Sequence, residues 1–467
     1  MDRTWKKYAP PVCAALGVVL LAFTAAVCMG LERGGRLDRA GVAVSLLALA
    51  GISVFLLHME GFRRDTLLVM LLPIGAAFLV RSLCLDYAGT DFNGFLTSWY
   101  RFIKGNGGFA AIAHAVGDYN VPYLYFMAFI TYLPVPELYL IKLFSILFDV
   151  ALAWGCLRLV RSLTKERRES IAPLIAFAAA FLLPTVVLNG AYWAQCDVIY
   201  GALSVHAVAM LLEGKNKTSV ALMGLAFSFK LQAVFVLPLW GVMWLAKKVK
   251  FRELWVFPLT YVIVIIPAVL LGKPLSETLL VYINQAGEYP RLTLNAPSIF
   301  QFFPYDMTIS TEKTPLLSAL STAGVAAAAV VVLILLWVGF RLGGRLDRQA
   351  CMAVAVTLAI AVPFLLPRMH ERYFFLADVL TLCWACANVR LAPAAALVQC
   401  SSAASYRVFL RLKFNWTFLV GERRYVMVPE MLTMMAGLVW TAVFLVKELR
   451  RCAAGPAAEK RGGLHRG

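Results

Sequence analysis

The sequence is poor in charge, and acidic residues are its scarcer charged class. Only 15% of its 467 residues are charged, and 26 Asp and Glu stand against 44 Lys and Arg. Soluble domains carry about 25% charged and about 45–50% apolar residues, whereas 61% of this chain is hydrophobic. No polar stretch is long enough for a soluble domain. The composition therefore predicts an all-α, polytopic integral membrane protein.

The chain also lacks the strict polar–apolar alternation of a membrane β-barrel. Continuous apolar runs of about 17–25 residues recur instead, each long enough to cross about 30 Å of hydrocarbon as a helix. They predict about 13–14 transmembrane helices, at 11–29, 41–58, 66–84, 138–160, 171–189, 198–213, 218–230, 233–247, 254–272, 315–340, 350–366, 373–390, 392–410 and 427–447. We divide the chain into two N-terminal helices (1–65), a transmembrane core (66–390) and C-terminal helices with a basic cytoplasmic tail (391–467).

Neither a nucleic-acid partner nor a metal site is indicated. The net charge of +18 comes from short basic clusters between the spans, and Lys and Arg ordinarily collect in cytoplasmic loops. No DxD pair is present, which argues against a metal-dependent reaction with a nucleotide sugar. His114 and His206 stand alone, so no metal ligand set is predicted. Cys383 and Cys386 form a CxxC inside an apolar helix, where packing is the expected role.

The basic clusters also set an orientation, with both termini in the cytoplasm. Clusters such as 161–168 and 341–348 then lie inside, whereas five basic residues in 407–425 fall on the outer side against the rule. The apolar stretch 121–133 must then not cross, and its thirteen or so residues suit an interfacial or re-entrant helix. Five polar features share the outer side: the loops 85–137 and 273–314 and the turns 193–197, 230–232 and 367–373.

These outer features carry five sequence motifs, which follow one another along the chain. The motifs are TDFNGFLTSWY (90–100), GDYNVPYLYF (117–126), NGAYWAQCDVIYGAL (189–203), FSFKLQAVF (227–235) and PRMHERYFF (367–375). This set resembles the GT-C glycosyltransferases, and most nearly the bacterial integral-membrane proteins similar to GPI-anchor mannosyltransferases. A more distant likeness is to the dolichyl-phosphate-glucose glucosyltransferases of the endoplasmic reticulum, which have a HEK-type motif in place of HER. The resemblance covers roughly residues 66–390.

The resemblance implies a GT-C-type helical bundle with a large first catalytic outer loop. It also implies an inverting transferase that moves a hexose, expected to be mannose, from a polyprenyl-phosphate-sugar donor. The acceptor would be a lipid-linked glycan, an envelope polysaccharide or a protein at the outer face of a bacterial plasma membrane, with no cofactor. One departure is that DYNVP has Val where the relatives often have a second Pro, which affects the rigidity of the turn.

Two other functions stay open. The chain could be a transporter or flippase of a lipid-linked sugar, or a scaffold subunit that has lost activity. Transporters often carry internal repeats and bind their substrate at mid-membrane. Here no repeat is visible, and the polar residues cluster at one face, which favours the transferase.

Acidic residues of the first outer loop are the candidates for acid–base chemistry. Asp91 matches, position for position, the family's catalytic base, which takes the proton of the acceptor hydroxyl. Its alternative role is to cap the loop helix. Asp118, beside Tyr119, either orients the acceptor or sets an Asx-turn before Pro122. Asp86 is expected to lie at a helix end without a catalytic role.

The turn 367–373 offers candidates for binding the donor phosphate. The planar fork of Arg372 suits phosphate oxygens, and His370 can donate a hydrogen bond at neutral pH. Arg368 completes the cationic patch, and Glu371 would contact the substrate. Both arginines could instead reach lipid headgroups as snorkelling side chains.

The remaining candidates lie in three other features. Lys230, at the junction of two short helices, would neutralise the phosphate, because a charge at membrane depth is costly and often functional. Sugar contacts are expected from Gln232, Gln195 and Asp197, with Trp193 as a stacking face, although Asp197 could instead cap a helix. The 273–314 loop would close over the acceptor through Tyr289, Arg291 and Asn295. Asp149, inside the span 138–160, is expected to bond a neighbouring helix.

Overall fold

The computed structural model describes residues 3–164, 170–285, 290–303, 314–410 and 427–454. These residues are almost entirely helical, and the sheet they contain is one pair of two-residue strands. The all-α, polytopic architecture predicted from composition is confirmed. Tyr289, most of the basic segment 407–425 and the end of the C-terminal tail lie outside the described residues.

Three helices begin the chain: α1 (Arg3–Met29), α2 (Arg36–Met59) and α3 (Arg64–Ser82). α1 and α3 pack backbone to backbone at two glycines. A Cβ atom on Gly17 would lie 2.5 Å from the carbonyl carbon of Leu71, and one on Gly75 would lie 2.6 Å from the carbonyl oxygen of Gly17. Small residues allow this approach, which gives membrane helices the packing contacts that hold them together.

The first long loop folds into short helices. Phe92–Leu96 forms a π-helical turn that continues into α4 (Thr97–Gly105), a 3₁₀ turn covers Gly108–Ala113, and α5 spans Val121–Ile130. The side chain of Asn120 caps α5 by accepting a hydrogen bond from the backbone nitrogen of Val121 at 2.8 Å. With ten residues α5 covers about 15 Å, half of a bilayer core, so it does not cross by itself.

The helices after this loop form the core and its C-terminal flank. They are α6 (Glu137–Leu163), α7 (Ala172–Leu182), α8 (Pro184–Val187), α9 (Asp197–Leu212), α10 (Asn216–Phe229), α11 (Pro238–Leu245), α12 (Phe251–Leu254), α13 (Val256–Leu270), α14 (Leu275–Leu279), α15 (Val281–Gln285), α16 (Pro315–Leu342), α17 (Arg348–Leu365), α18 (Phe375–Ala387), α19 (Ala392–Leu410) and α20 (Val428–Ala454). A second π-helical turn covers Leu188–Tyr192, and 3₁₀ turns cover Leu231–Phe235, Ile299–Phe302, Gly343–Arg345, Glu371–Phe374 and Val389–Leu391.

All the predicted spans are helical, but fewer of them are full-length than expected. Among the described residues, eight helices are long and apolar enough to cross a membrane, or nine if the bent pair Ala172–Leu182 and Pro184–Tyr192 counts as one span. The predicted spans 198–213, 218–230, 233–247 and 373–390 correspond to helices of 16 residues or fewer, and 392–410 carries a row of polar residues. The predicted total of about 13–14 membrane-spanning helices, which includes these short ones, stays a prediction. Several of these short helices end at the polar turns described below.

A buried ion pair joins the N-terminal helices to the core. Arg81 of α3 meets Asp149 of α6 at 2.8 Å, and both side chains are fully buried. Arg81 also donates to the carbonyl oxygens of Ala77 and Phe181. The prediction that Asp149 bonds a neighbouring helix is confirmed.

The loop 273–314 and the turn 367–373 meet in the small sheet. Thr293–Leu294 (β1) pairs in parallel with Met369–His370 (β2), with Leu294 opposite His370. The backbone nitrogen of Arg368 donates to the carbonyl oxygen of Leu292 at 3.1 Å. This pairing ties the loop 273–314 to the turn 367–373.

Candidate active site

One cavity of about 440 Å³ collects residues from all five predicted outer features. Its walls are Asp91, Phe95, Leu96, Trp99, Asp118, Tyr119, Gln195, Phe229, Lys230, Leu231, Gln232, Tyr282, Arg291, Leu294, Asn295, His370, Glu371, Arg372, Tyr373 and Phe409. Eleven of the predicted site residues are therefore brought together: Asp91, Asp118, Tyr119, Gln195, Lys230, Gln232, Arg291, Asn295, His370, Glu371 and Arg372. Trp193, Asp197 and Arg368 are absent from these walls, and Tyr289 lies outside the described residues.

The start of the first loop is fixed by one buried lysine. The ammonium of Lys142, on α6, donates to the carbonyl oxygens of Cys84, Leu85 and Tyr87 at 2.7, 3.1 and 2.7 Å. Charge-assisted bonds of this kind are stronger than neutral ones. They set the path of the chain four residues before Asp91.

Asp86 also anchors the start of the first loop, and it does not line the cavity. Its carboxylate accepts hydrogen bonds from the backbone nitrogen of Glu32 and, at 2.6 Å, from the hydroxyl of Tyr139. Its structural role at the end of α3 agrees with the sequence-based expectation.

Asp91 is half-buried and is oriented by an amide. The side-chain nitrogen of Gln195 donates to Asp91 Oδ2 at 2.6 Å, while Gln195 Oε1 accepts from the hydroxyl of Tyr119 at 3.4 Å. The backbone carbonyl of Gln195 accepts in turn from Ser145 Oγ at 2.8 Å. Asp91 makes no side-chain capping bond, so the capping alternative is wrong. Its second carboxylate oxygen, Oδ1, accepts no side-chain hydrogen bond from the residues that the structure describes.

Two π-helical turns flank this contact. Phe92–Leu96 directly follows Asp91, and Leu188–Tyr192 comes just before the segment 193–197. Ala194, inside that segment, has φ 63°, a left-handed backbone conformation that residues other than glycine rarely adopt. Such turns recur at functional sites, because each shifts the side chains that follow it out of the regular helical register.

The aromatic wall of the cavity depends on one close approach. A Cβ atom on Gly117 would lie 2.7 Å from the ring of Trp99, and Gly117 also has φ 60°. Trp99 meets Tyr119 edge to face with ring centres 5.4 Å apart. Glycine is therefore required where α4 lies over the DYNVP turn.

Asp197 is the hub of an ion cluster beneath the cavity surface. Its fully buried carboxylate accepts from the Lys230 ammonium at 2.5 Å and faces Arg372 Nε at 3.6 Å. Asn189 holds this carboxylate in place. Its side-chain nitrogen donates to Asp197 Oδ2 at 2.7 Å, and its Oδ1 accepts from the backbone nitrogen of Asp197 at 3.2 Å. Neither predicted role fits, because Asp197 does not line the cavity and its side chain caps no helix.

Trp193 supports Arg372 and does not line the cavity. The indole is fully buried, the Arg372 guanidinium lies 5.3 Å from its centre, and Phe409 stacks on it at 4.8 Å. The ring predicted to stack on a sugar therefore packs against protein side chains instead. The aromatic rings that do line the cavity are Phe95, Trp99, Tyr119, Phe229, Tyr282, Tyr373 and Phe409.

Burial alters the charge expected of the HER triplet. It lowers the pKa of His370 well below its usual value, and the nearby charges of Arg372 and Lys230 lower it further. His370 is therefore a neutral hydrogen-bonding group at neutral pH, so Arg372 is the one cation of the predicted patch that lines the cavity, where Lys230 joins it. Burial also raises the pKa of Glu371 to about 7, although Arg372 Nη1 lies 3.3 Å from its carboxyl.

The other predicted residues take peripheral places. Gln232 is buried in the wall, and its Oε1 has no hydrogen-bond partner within the described part of the chain. Arg291 is exposed, while Asn295 bridges to His370 with φ 59°. Arg368 has φ 64° and does not line the cavity. Among the described residues no group of three or more His, Cys, Asp and Glu side chains could hold a metal ion.

Sequence reasoning missed the residues behind the wall. Lys142 and Ser145 position the first long loop and Gln195, and Asn189 orients Asp197. A signal was present for two of them. Lys142, Ser145 and Asp149 recur at helical spacing in an apolar span, which is typical of a helix face turned toward polar partners.

The cavity combines an oriented carboxylate, two held cations and aromatic walls. A carboxylate whose free oxygen faces a cavity can accept a proton, and a Lys–Arg pair can bind a phosphate. Aromatic faces suit the apolar faces of a sugar ring. Comparison of the chain with models of known protein families and with curated proteins gave no match in either case.

Proposed function

We propose that this protein is an inverting GT-C-type glycosyltransferase of the bacterial plasma membrane. It moves a hexose, expected to be mannose, from a polyprenyl-phosphate sugar to a lipid-linked glycan, an envelope polysaccharide or a protein at the outer face. One observation carries the proposal. Asp91 of the first loop lines the same cavity as Lys230, His370 and Arg372, which come from much later in the chain.

Asp91 acts as the general base. Its free oxygen takes the proton of the acceptor hydroxyl as the hydroxyl oxygen attacks the anomeric carbon of the sugar. The bond from that carbon to the phosphate oxygen breaks, and its electron pair stays on the phosphate. General-base help of this kind contributes roughly 10²–10⁴ in rate. A single displacement inverts the anomeric configuration and needs no carboxylate nucleophile.

Lys230 and Arg372 hold the donor phosphate. Lys230 offers a compact charge and Arg372 a planar fork, and both are fixed from behind by Asp197. They stabilise the charge that develops as the phosphate departs, without reorganising during the step. Neutral His370 contributes a hydrogen bond instead of a charge.

The surroundings of the cavity suit a lipid-linked donor. Leu275 and Leu279 on α14 and Ile283 on α15 are exposed, as is Phe95 on the cavity rim. Exposed apolar side chains on short helices are typical of a surface that lies in a membrane interface. A polyprenyl chain can therefore remain in the bilayer while its phosphate reaches the cations.

Transfer of label from a polyprenyl-phosphate hexose to membranes tests the proposal. We expect the full-length protein to transfer label, and Asp91→Asn to reduce the rate at least about 100-fold. Asp65→Asn is the control, because it removes the same charge at an exposed position that does not line the cavity. It should retain most of the activity.

Two outcomes would overturn the assignment. Undiminished transfer by Asp91→Asn would remove Asp91 from its role as base. Movement of the intact donor across vesicles, without any glycosidic product, would identify a transporter instead.

A further inference from the structure

A single buried carboxylate is shared by two cations from distant parts of the chain. Lys230 follows α10 and Arg372 precedes α18, and both reach Asp197 at the start of α9. Asn189 holds the carboxylate from the other side. Burying three charges is costly, and a simple anion site would need only the two cations.

The shared carboxylate fixes the charge of the anion site. Lys230, Arg372 and Asp197 together carry a net charge of about +1 at the proposed phosphate position, while Asp91, Asp118 and Arg291 also line the cavity. Glu371, the other acid touching Arg372, has a pKa raised by burial to about 7, so it carries only part of a charge near neutrality. The site therefore matches a ligand with one negative charge.

The substrate and product of the proposed reaction differ in this property. The donor is a phosphodiester, which carries one negative charge. The departing polyprenyl phosphate is a monoester, which carries about −1.5 to −2 near neutral pH because its second pKa is about 6. Two unopposed cations would hold the product more tightly than the donor and would slow its release.

We propose that Asp197 is a positioning residue that matches the anion site to a singly charged phosphodiester and thereby weakens retention of the phosphomonoester product. This inference rests on the proposed function. It assigns to Asp197 a selectivity between two lipid phosphates, whereas a purely structural anchor would affect the binding of both equally.

Direct binding measures this selectivity without turnover. The purified full-length protein in detergent is titrated, at one neutral pH, with a short-chain polyprenyl monophosphate and with its methyl phosphodiester. We expect wild type to bind the two within about threefold of each other. Asp197→Asn should shift the ratio of their dissociation constants at least about tenfold in favour of the monoester, since an opposing charge close to the ligand is removed.

A second substitution that restores the net charge distinguishes a change in selectivity from a loss of folding. Asp197→Asn combined with Lys230→Gln returns the net charge to about +1 and should bring the ratio back toward wild type. Glu60→Gln is the matched control. Glu60 is also a carboxylate shared by two cations, Arg158 and Arg161, but it lies at the other end of α6 from the loop anchor Lys142.

Each outcome bears on a distinct claim. A ratio unchanged in Asp197→Asn, with both lipids still bound, overturns the inference and leaves the proposed function standing. Binding of neither lipid to wild type overturns the proposed function and the inference with it. If Asp197→Asn does not fold, Lys230→Gln alone should weaken monoester binding at least about threefold more than diester binding. Equal weakening would then overturn the inference.

Discussion

At the scale of single residues, the cavity depends on side chains that hold other side chains. Gln195 orients Asp91, Asp197 holds Lys230 and Arg372, and Trp193 lies against the guanidinium of Arg372. An oriented group loses little further entropy when it reacts or binds, so this arrangement favours catalysis. The supporting residues should therefore be nearly as sensitive to substitution as the residues that face the ligand.

Replacing Gln195 with Glu tests the orientation of Asp91. Glutamate has nearly the same shape, but its ionised form cannot donate to Asp91 and repels the carboxylate. We expect kcat to fall at least about tenfold while KM for the donor changes little. Asn106→Asp adds the same charge at an exposed position of the same loop and should leave kcat unchanged. An unaltered kcat in Gln195→Glu would show that the amide does not position the base.

Glu371 makes the stability of the protein depend on pH. Burial raises its pKa from 4.5 to about 7, so the folded protein favours the protonated form. This stabilisation is complete below about pH 4.5 and is lost as the pH rises through about 7. The shift corresponds to a difference on the order of 3 kcal/mol.

Thermal unfolding in detergent between about pH 5 and pH 8 checks this dependence. Glu371→Gln is neutral at every pH, so its unfolding temperature should rise relative to wild type as the pH increases. A difference that stays constant, or falls, would contradict the raised pKa.

At the scale of elements, short and irregular helices build the site. The π-helical turn Phe92–Leu96 sets how α4 presents Trp99, and the turn Leu188–Tyr192 sets the segment that carries Gln195 and Asp197. A π-helical turn corresponds to one residue more than a regular helix requires. Its removal should therefore rotate the residues that follow without removing the helix.

Deletion of Gly94 tests the first of these turns. The deletion should convert Phe92–Leu96 into regular helix and rotate α4 by about 100°, which carries Trp99 away from Tyr119. We expect a folded protein with at least about tenfold lower transfer activity. Gly94→Ala is the control, since nothing lies within 4 Å of the added Cβ atom, and its activity should match wild type. Equal activity of the two variants would dismiss the turn as a positioning element.

At the scale of the whole molecule, polar groups are concentrated in two separate regions. The five polar turns and loops meet around the cavity, while Glu60, Arg158, Arg161 and Glu213 form an ion cluster at the other end of α6. The loop anchors Asp86 and Lys142 lie at the cavity end. This separation agrees with the prediction, from the basic clusters, that the five features share one side.

Much of this arrangement could be predicted from the sequence, and specific parts could not. Continuous apolar runs predict helices, and the positions of Lys and Arg between them predict which turns share a side. The ends of α9, α10 and α18 were predicted to within three residues, because polar turns mark the boundaries of these apolar segments. Contacts such as Gln195 with Asp91, and the burial of Trp193 and Asp197, depend on packing between segments distant in the chain. Sequence spacing does not contain that information.

The side of the membrane on which the cavity opens is a further prediction at this scale. In a Cys400→Ser background, which removes the exposed native cysteine, Ser98→Cys lies on α4 near the cavity and Lys217→Cys at the other side of the predicted topology. An impermeant thiol reagent should label the first variant in intact cells and the second only after permeabilisation. The reverse pattern would invert the topology and place the reaction in the cytoplasm.

The central claim is that a base and a phosphate site face one ligand in this cavity. An experimental structure of the full-length protein with a non-reactive polyprenyl-phosphate-sugar analogue tests it most directly. We expect the phosphate within hydrogen-bond distance of Lys230 and Arg372, with the sugar between it and Asp91. A phosphate bound outside this cavity, or a sugar directed away from Asp91, would contradict the claim.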